Sequence, residues 1–362
     1  TIIQLVSTQN HFEFVIAGQG LAGSILAWYL IKSNRKVLVV EDSSLPSATS
    51  VASGLMHPVT GRRIVKSWRA DEFIPNAVKL YREIEKELNT RFFYDTPILE
   101  IYHDHGNRND WMNRSVTSGI GEFIGKDFHA DELPKTLRAP LGALELKMTG
   151  WLNATTFKSE MKKWLNSQNA FQESTIDYHS LEKRNDVFTH DDITFDKLID
   201  CRGYFSAQSK SWSYLPFNPA KGEEIVFTSD ADLWKEFIYH NTFKIIPIEN
   251  NEYRFGATYA WNDTSYEITS EAREKLINGL ASLLDASFEV SGQRAGIRPS
   301  TKDRRPLMGE HPLEKNHFLF NGLGSKGVSA APTLAKEMHD LLLNEQKINP
   351  EYSLERFTFP GY

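Results

Sequence analysis

The sequence predicts an α/β chain in which a parallel sheet flanked by helices is interrupted by an antiparallel sheet. Three observations carry that prediction. Near the start, the apolar strand Phe14-Val15-Ile16-Ala17 runs into Gly18-Gln19-Gly20-Leu21-Ala22-Gly23 and then an apolar helix. From Glu223 to Ala260, β-branched and aromatic residues recur in short runs broken by turn residues, the pattern of antiparallel strands. In the last third the α/β pattern returns, with Phe318-Leu319-Phe320 as a strand, Asn321 to Gly327 as a glycine-rich loop and Pro332 to Leu343 as a helix.

The first unit is a Rossmann-like strand–turn–helix with a second strand, Lys36 to Val40, ending on Glu41 and Asp42. Gly18 permits the tight turn, Gly20 lets a pyrophosphate approach the backbone, and Gly23 lets the helix lie close on the sheet. The helix N-terminus, at Leu21 and Ala22, offers free N–H groups and a partial positive charge to phosphates. Glu41 falls 18 residues after Gly23, where a carboxylate can accept from ribose hydroxyls. A dinucleotide site is expected. The competing reading is a structural βαβ unit with a surface Glu41.

The remaining elements follow in order. A loop of small residues spans Ser43 to Gly54. Ile74, Val78, Tyr81, Ile84 and Leu88 recur at three- and four-residue steps, which predicts a helix. Phe92 to Tyr102 reads as strands broken at Pro97. Asn153 is placed to cap a helix carrying Phe157, Met161 and Trp164. Lys197 to Gly203 reads as a further parallel strand ending in a glycine turn. Turns such as Glu249-Asn250-Asn251-Glu252 divide the antiparallel region, and Ala272, Leu276, Leu280 and Leu283 mark another helix. The expected division is a discontinuous nucleotide domain, residues 12–75, 150–207 and 292–345, with a second domain of residues 76–149 and 208–291.

Composition narrows the function classes. The chain has 362 residues, with 40% hydrophobic and 24% charged, an ordinary globular balance. A net charge of −6 argues against nucleic acid as the main partner and leaves a small molecule as the expected one. The single cysteine, Cys201, excludes an internal disulfide framework and suits a reducing, cytoplasmic setting. No apolar run approaches the roughly 20 residues that cross a bilayer. Thr1 to His11 lacks the basic and apolar segments of a signal peptide. An initiator Met or short leader is expected before Thr1.

The C-terminal loop separates a flavin from a nicotinamide. Asn321-Gly322-Leu323-Gly324-Ser325-Lys326-Gly327-Val328 is a second nest of backbone donors that opens a helix. A flavin needs such a group because its reduction places negative charge near N1 and C2=O. The competing reading is an ordinary βα turn. His103-Asp104-His105 lacks further ligands at sensible spacing, so it reads as an exposed loop and no metal is expected. Lys162-Lys163 and Arg304-Arg305 read as solvated charges. No G-x-S-x-G elbow is present.

Six runs occur in a familiar order: Gly18 to Gly23 with Glu41; Ala52-Ser53-Gly54-Leu55-Met56-His57-Pro58; Pro219 to Glu223; Phe255 to Thr258; Ala295 to Pro299 with Asp303 and Arg305 to Gly309; and Gly322 to Val328 with Ala331-Pro332. In these the chain resembles the glycine/D-amino-acid oxidase family of FAD-dependent oxidoreductases, from about Phe12 to Leu343. Arg305 to Gly309 and Lys326 to Pro332 are also similar to the oxidase domain of the bifunctional enzymes that remodel tRNA wobble uridines, a branch of the same family.

The resemblance implies an FAD-binding domain with a central parallel sheet and an antiparallel substrate domain. It implies that Gly18, Gly20, Leu21, Ala22, Gly23, Glu41 and Asp42 hold the ADP half of FAD. Thr49, Ser50, Ser53, Gly54, Leu55 and Met56 would pass the pyrophosphate and flavin. Ile176 would read adenine through its backbone, Gly203 would border the cofactor, and Gly324, Ser325, Lys326, Gly327 and Val328 would contact the isoalloxazine ring. Arg298 matches the family's carboxylate clamp, a role its two parallel donors suit; a structural ion pair is its alternative. Lys244 stands where the family's amino-acid oxidases have a substrate-contacting tyrosine. It is expected to bind a second carboxylate, favour oxygen reduction, or reach solvent. Tyr259 and His240 are expected in the same pocket. No cysteine lies near Arg298 or Arg305, so the flavin is expected to be non-covalent.

The implied activity is oxidation of the C–N bond of a carboxylate-bearing amine, with hydride passing to flavin N5 and electrons returning to oxygen or another acceptor. The alternatives are oxidation of a carboxymethylaminomethyl group on tRNA, or a non-catalytic FAD-holding protein.

Overall fold

The computed structural model describes residues 10–60, 63–176, 178, 181–248 and 251–359. The chain divides into two units, residues 1–50, 155–219 and 298–362, and residues 51–154 and 220–297.

The first unit is built on five parallel strands in the order Phe171–Glu173, Val37–Glu41, His11–Ala17, Ile193–Asp200, His317–Asn321. Phe14 pairs with Val37 on one side and Lys197 on the other. Val15, Ile16, Val39 and Ile199 are fully buried, the continuous apolar signature of strands covered on both faces. Leu307–Glu310 and the strands Val187–His190 and Glu182–Arg184 add antiparallel edges. The helix Leu21–Lys32 packs against the helix Gly327–Asn344.

That last helix starts at Gly327, earlier than the expected Pro332. Pro332 forfeits one internal hydrogen bond. Burial of Leu334, Ala335 and Met338 along the same helix outweighs that loss.

The second unit holds an eight-stranded sheet in the order Phe288–Arg298, Ala220–Ser229, Glu252–Gly256, Lys244–Pro247, Ile238–His240, Ile98–Ile101, Ala143–Leu146, Ile124–Phe128. One junction departs from the antiparallel expectation: Ile238–His240 runs parallel to Ile98–Ile101. It joins the two sequence segments of the unit, where no hairpin dictates direction. Leu276 and Leu280 of the helix Ser270–Leu283 are buried with Leu99, Tyr239, Ile245 and Phe255. The helix Ala70–Leu88 buries Phe73, Ile74, Ala77, Leu80, Tyr81 and Ile84, while Val78 and Leu88 sit at the margin of that face.

The unit boundaries differ from those expected. Residues 51–75 belong to the second unit, because Leu55 and Met56 pair with Trp151 and Gly150 in a small antiparallel sheet. Residues 150–154 go with them. Residues 208–219 belong to the first unit, where Asn218 N–H donates to Ser300 O and Lys302 N–H to Pro216 O. Residues 292–297 continue a strand of the large sheet and belong to the second unit. His103-Asp104-His105 is a helix start and not a plain loop: Asp104 accepts from Asn107 N–H at 2.7 Å and caps His105–Thr117. In the expected turn at Glu249 to Glu252, the first two positions lie outside the described residues; Asn251 adopts φ +60°.

Candidate active site

In the first unit, the glycine positions are set by contact. Gly18 has φ +106°, and a Cβ on it would lie 2.7 Å from Cys201 O. A Cβ on Gly23 would lie 2.0 Å from Gly18 O, so the helix sits directly on the turn. A Cβ on Gly20 would be 3.3 Å from Thr49 Oγ1, which accepts from Leu21 N–H. Gly20 supplies no side-chain cap; Thr49 Oγ1 takes the Leu21 N–H, and the turn is buried at Leu21 and Ala22.

Glu41 closes this region. Its Oε2 accepts from Gln19 N–H at 2.7 Å, and its Oε1 meets Lys158 Nζ at 2.7 Å. Gln19 is fully buried, and its side chain donates to Ser24 Oγ and Lys158 O. Its Oε1 is buried with no hydrogen-bond partner among the described residues. Asp42 instead turns into its own loop, accepting from Ser44 N–H and Oγ–H. Ile176 follows the strand beside Glu41, where Ser174 N–H donates to Glu41 O, and its side chain joins the core with Val15 and Val40.

The second glycine turn reaches the first. A Cβ on Gly327 would lie 3.4 Å from Leu21 Cδ2. Gly322 and Gly324 take φ +76° and +53°, conformations that L side chains rarely adopt. Ser325 is exposed, Lys326 precedes the helix with no side-chain cap, and Val328 is buried. Gly203, φ +58°, accepts from Asn321 Nδ2 at 2.8 Å, which ties its turn to the start of this loop. Two helix starts whose N-cap residues make no side-chain cap, a glycine approach without side chains and an unmet buried amide oxygen suit a dinucleotide carrying a flavin. Arg298 ends the strand Phe288–Arg298, and Ser300 N–H donates to its carbonyl.

In the second unit, Arg254 donates to Ala52 O and Ser53 O at 3.0 and 3.3 Å. A Cβ on Gly54 would strike Leu152 O at 1.9 Å, and Leu55 and Met56 are strand-paired. Thr49 and Ser50 lie on the first unit and Ser53 to Met56 on the second, so this run crosses the boundary. Just beyond Met56, His57 Nε2 lies 2.8 Å from Glu100 Oε1, and His240 Nδ1 lies 2.5 Å from the same atom. Glu100 stays anionic below the usual carboxylate range: burial opposes this, and the two imidazoles outweigh it. Burial lowers both histidines, His57 to about 4, with the Lys244 cation adding to the effect. Lys244 is paired with His240 across the sheet. Tyr259 is 49% exposed beside Trp261.

Sequence reasoning missed His57, Glu100, Lys158 and Arg254. Two signals were available: an acid within the apolar strand Ile98-Leu99-Glu100-Ile101, and the His57 between Met56 and Pro58 in the run from Ala52 to Pro58. Lys158 and Arg254 carried none, since their partners (Glu41, Glu224 and backbone carbonyls) lie at long separation in the sequence.

The comparisons agree with this geometry. The family model described as FAD dependent oxidoreductase, DAO, matches residues 13–341. Glycine oxidase of Bacillus subtilis (strain 168) is 23% identical over 370 residues, covering 93% of this chain and 95% of that protein. The crystal structure of glycine oxidase from Geobacillus kaustophilus superposes with a TM-score of 0.81 at 19% identity, covering 97% of this chain and 100% of that one. That of iminodiacetate oxidase from Chelativorans sp. BNC1 gives 0.80 at 18% identity, covering 96% and 98%. With the family model spanning nearly the whole chain and both glycine turns meeting in one unit, the protein belongs to the DAO family of FAD-dependent oxidoreductases, an enzyme of the amine and amino-acid oxidase type whose cofactor is FAD.

Proposed function

We propose that this enzyme oxidises the C–N bond of an amine that carries a carboxylate, and that a second carboxylate on the substrate is favoured. The observation that carries the first part is the approach of Gly327 to Leu21, which gives one cofactor two sets of backbone donors. Gly18, Gly20, Gly23, Leu21, Ala22 and Glu41 are assigned to the ADP half. Thr49, Ser50, Ser53, Gly54, Leu55 and Met56 are assigned to the pyrophosphate and flavin, Ile176 to adenine through its backbone, and Gly203, Gly324, Ser325, Lys326, Gly327 and Val328 to the flavin side. Asp42 is assigned to the edge of the ADP half, with Oδ1 accepting within its own turn. Bound without a covalent link, FAD would supply the two-electron acceptor at N5 for a hydride from the carbon next to nitrogen, and water would hydrolyse the imine that is left.

The protein's own residues bind and orient. Arg298 is assigned to the substrate carboxylate through two parallel N–H donors. Lys244, in place of the family's tyrosine, is assigned to a second carboxylate, with Tyr259 and His240 along the substrate. One relative named above is an iminodiacetate oxidase, and iminodiacetate is an amine with two carboxylates. Lys244 therefore points away from glycine itself and toward dicarboxylate amines. Oxygen is the proposed electron acceptor, with hydrogen peroxide as product. The test is anaerobic mixing with a panel of amino and imino acids. Iminodiacetate and N-carboxyalkyl amino acids are expected to bleach the flavin faster than glycine; a panel that leaves it fully oxidised removes the reading.

A further inference from the structure

Two imidazoles of the second unit meet at one buried carboxylate. Glu100 Oε1 faces His57 Nε2 and His240 Nδ1, and one ligand atom from each residue fits within a 4.8 Å group. Two imidazoles and a carboxylate form a common zinc set. A metal would need both facing nitrogens bare, and would move the His57 proton to Nδ1. That atom is buried and has no hydrogen-bond partner among the described residues. Metal-bound imidazoles almost always donate through their second nitrogen, and a buried N–H left unmet is costly. The hydrogen-bonded arrangement, with both imidazoles donating to Glu100, leaves a lone pair at His57 Nδ1 and no buried N–H unmet, the smaller cost.

The arrangement fixes a tautomer. With Nδ1–H committed to Glu100, His240 carries its lone pair on Nε2. No hydrogen bond among the described residues engages that nitrogen, and the side chain retains 21% exposure. The charged and titratable groups around it are Glu100 on the neighbouring strand, His57 behind Glu100, Lys244 across the hairpin and His103. Burial, and then the Lys244 cation, lower the His240 imidazole against the pull of Glu100, which favours the neutral ring with its Nε2 lone pair. We propose that Glu100 and His57 are positioning residues that hold His240 Nε2 as the hydrogen-bond acceptor for the substrate's amine N–H. The proposal rests on the carboxylate-amine reading above. It gives His240 a defined role: its Nε2 lone pair accepts from a donor on the reacting nitrogen, which a ring or ether oxygen cannot offer.

Pyrrole-2-carboxylate and 2-furoate test it, because they share shape and carboxylate and differ in an N–H against a ring oxygen. Each is titrated into the FAD-loaded protein and read by the flavin spectrum. The wild type is expected to prefer the pyrrole about tenfold, the effect of one buried hydrogen bond against an unpaired oxygen. His240→Leu should abolish the preference, and Glu100→Gln should reduce it to about threefold or less. If His240→Leu loses FAD, ¹⁵N-histidine NMR of the wild type replaces it: Nε2 of His240 should be unprotonated and shift with the pyrrole but not with 2-furoate. A preference unchanged in both variants overturns the proposal. So does one zinc per chain, bound by the wild type and lost in Glu100→Gln. Equal wild-type affinities remove the His240 role alone, whereas two carboxylates that both fail to bind remove the carboxylate reading and this role with it.

Discussion

Gly327 opens the last long helix against Leu21, the first residue of the first one, with 3.4 Å between an added Cβ and Leu21 Cδ2. Two donor-rich helix starts from opposite ends of the chain thus share one place. The glycines there are not equivalent. Gly23→Ala would drive a methyl to 2.0 Å from Gly18 O and is expected to destabilise the fold by about 3 kcal/mol or more. Gly20→Ala meets only Thr49 Oγ1 at 3.3 Å, so it is expected to melt near the wild type while losing most of its FAD. Thermal melts beside the bound-flavin absorbance separate the two; equal loss of stability in both would contradict this division.

Arg298→Ala is expected to keep its flavin colour and to bind benzoate about a hundredfold more weakly, the scale of losing two charge-assisted hydrogen bonds. Arg298→Lys should recover only part of that affinity, because an ammonium lacks the planar fork. Unchanged titrations would return Arg298 to a structural ion pair.

Lys244→Met should lower kcat/KM for iminodiacetate about tenfold more than for sarcosine, which has a single carboxylate. Stopped-flow reduction under nitrogen reads both. Equal losses for the two substrates would take the second carboxylate away from Lys244.

Acid should weaken the second unit in a definite window. His57 is lowered from 6.5 to about 4, so between those values the unfolded chain binds a proton that the folded chain refuses. Stability is therefore complete above about pH 6.5 and falls as pH drops toward 4, by about 3 kcal/mol from this group. Glu100, held below its ordinary value, acts in the same direction below about pH 4.5. Urea midpoints at pH 7 and pH 5 should converge in His57→Gln; an undiminished slope would place the acid sensitivity elsewhere.

The tRNA alternative makes its own prediction. With a net charge of −6, tRNA is expected to bind weakly and to leave the flavin oxidised under nitrogen. Salt-dependent binding with flavin bleaching by carboxymethylaminomethyl-modified tRNA would reverse the ranking.

Local pattern made much of the first unit legible. The strand Phe14 to Ala17, the Gly18–Gly20–Gly23 spacing and Glu41 each state their geometry within a few residues, because a positive φ or a missing Cβ is a local demand. The same held for Gly322 and Gly324. Where the units divide was not legible: residues 51–75 follow Leu55 and Met56 into a sheet with Gly150 and Trp151, and strand partners a hundred residues apart leave no local trace.

What the chain's order of residues determined alone was a flavin-type nucleotide fold and its family, since both rest on short-range spacing and apolar periodicity. Tertiary structure alone decided that Lys158 meets Glu41, that Arg254 pins Ala52 and Ser53, and that His57 and His240 share Glu100. Those contacts bring a helix, loops and strands far apart in sequence to one another, and only the folded chain sets them. None is encoded in the neighbourhood of any one of the residues.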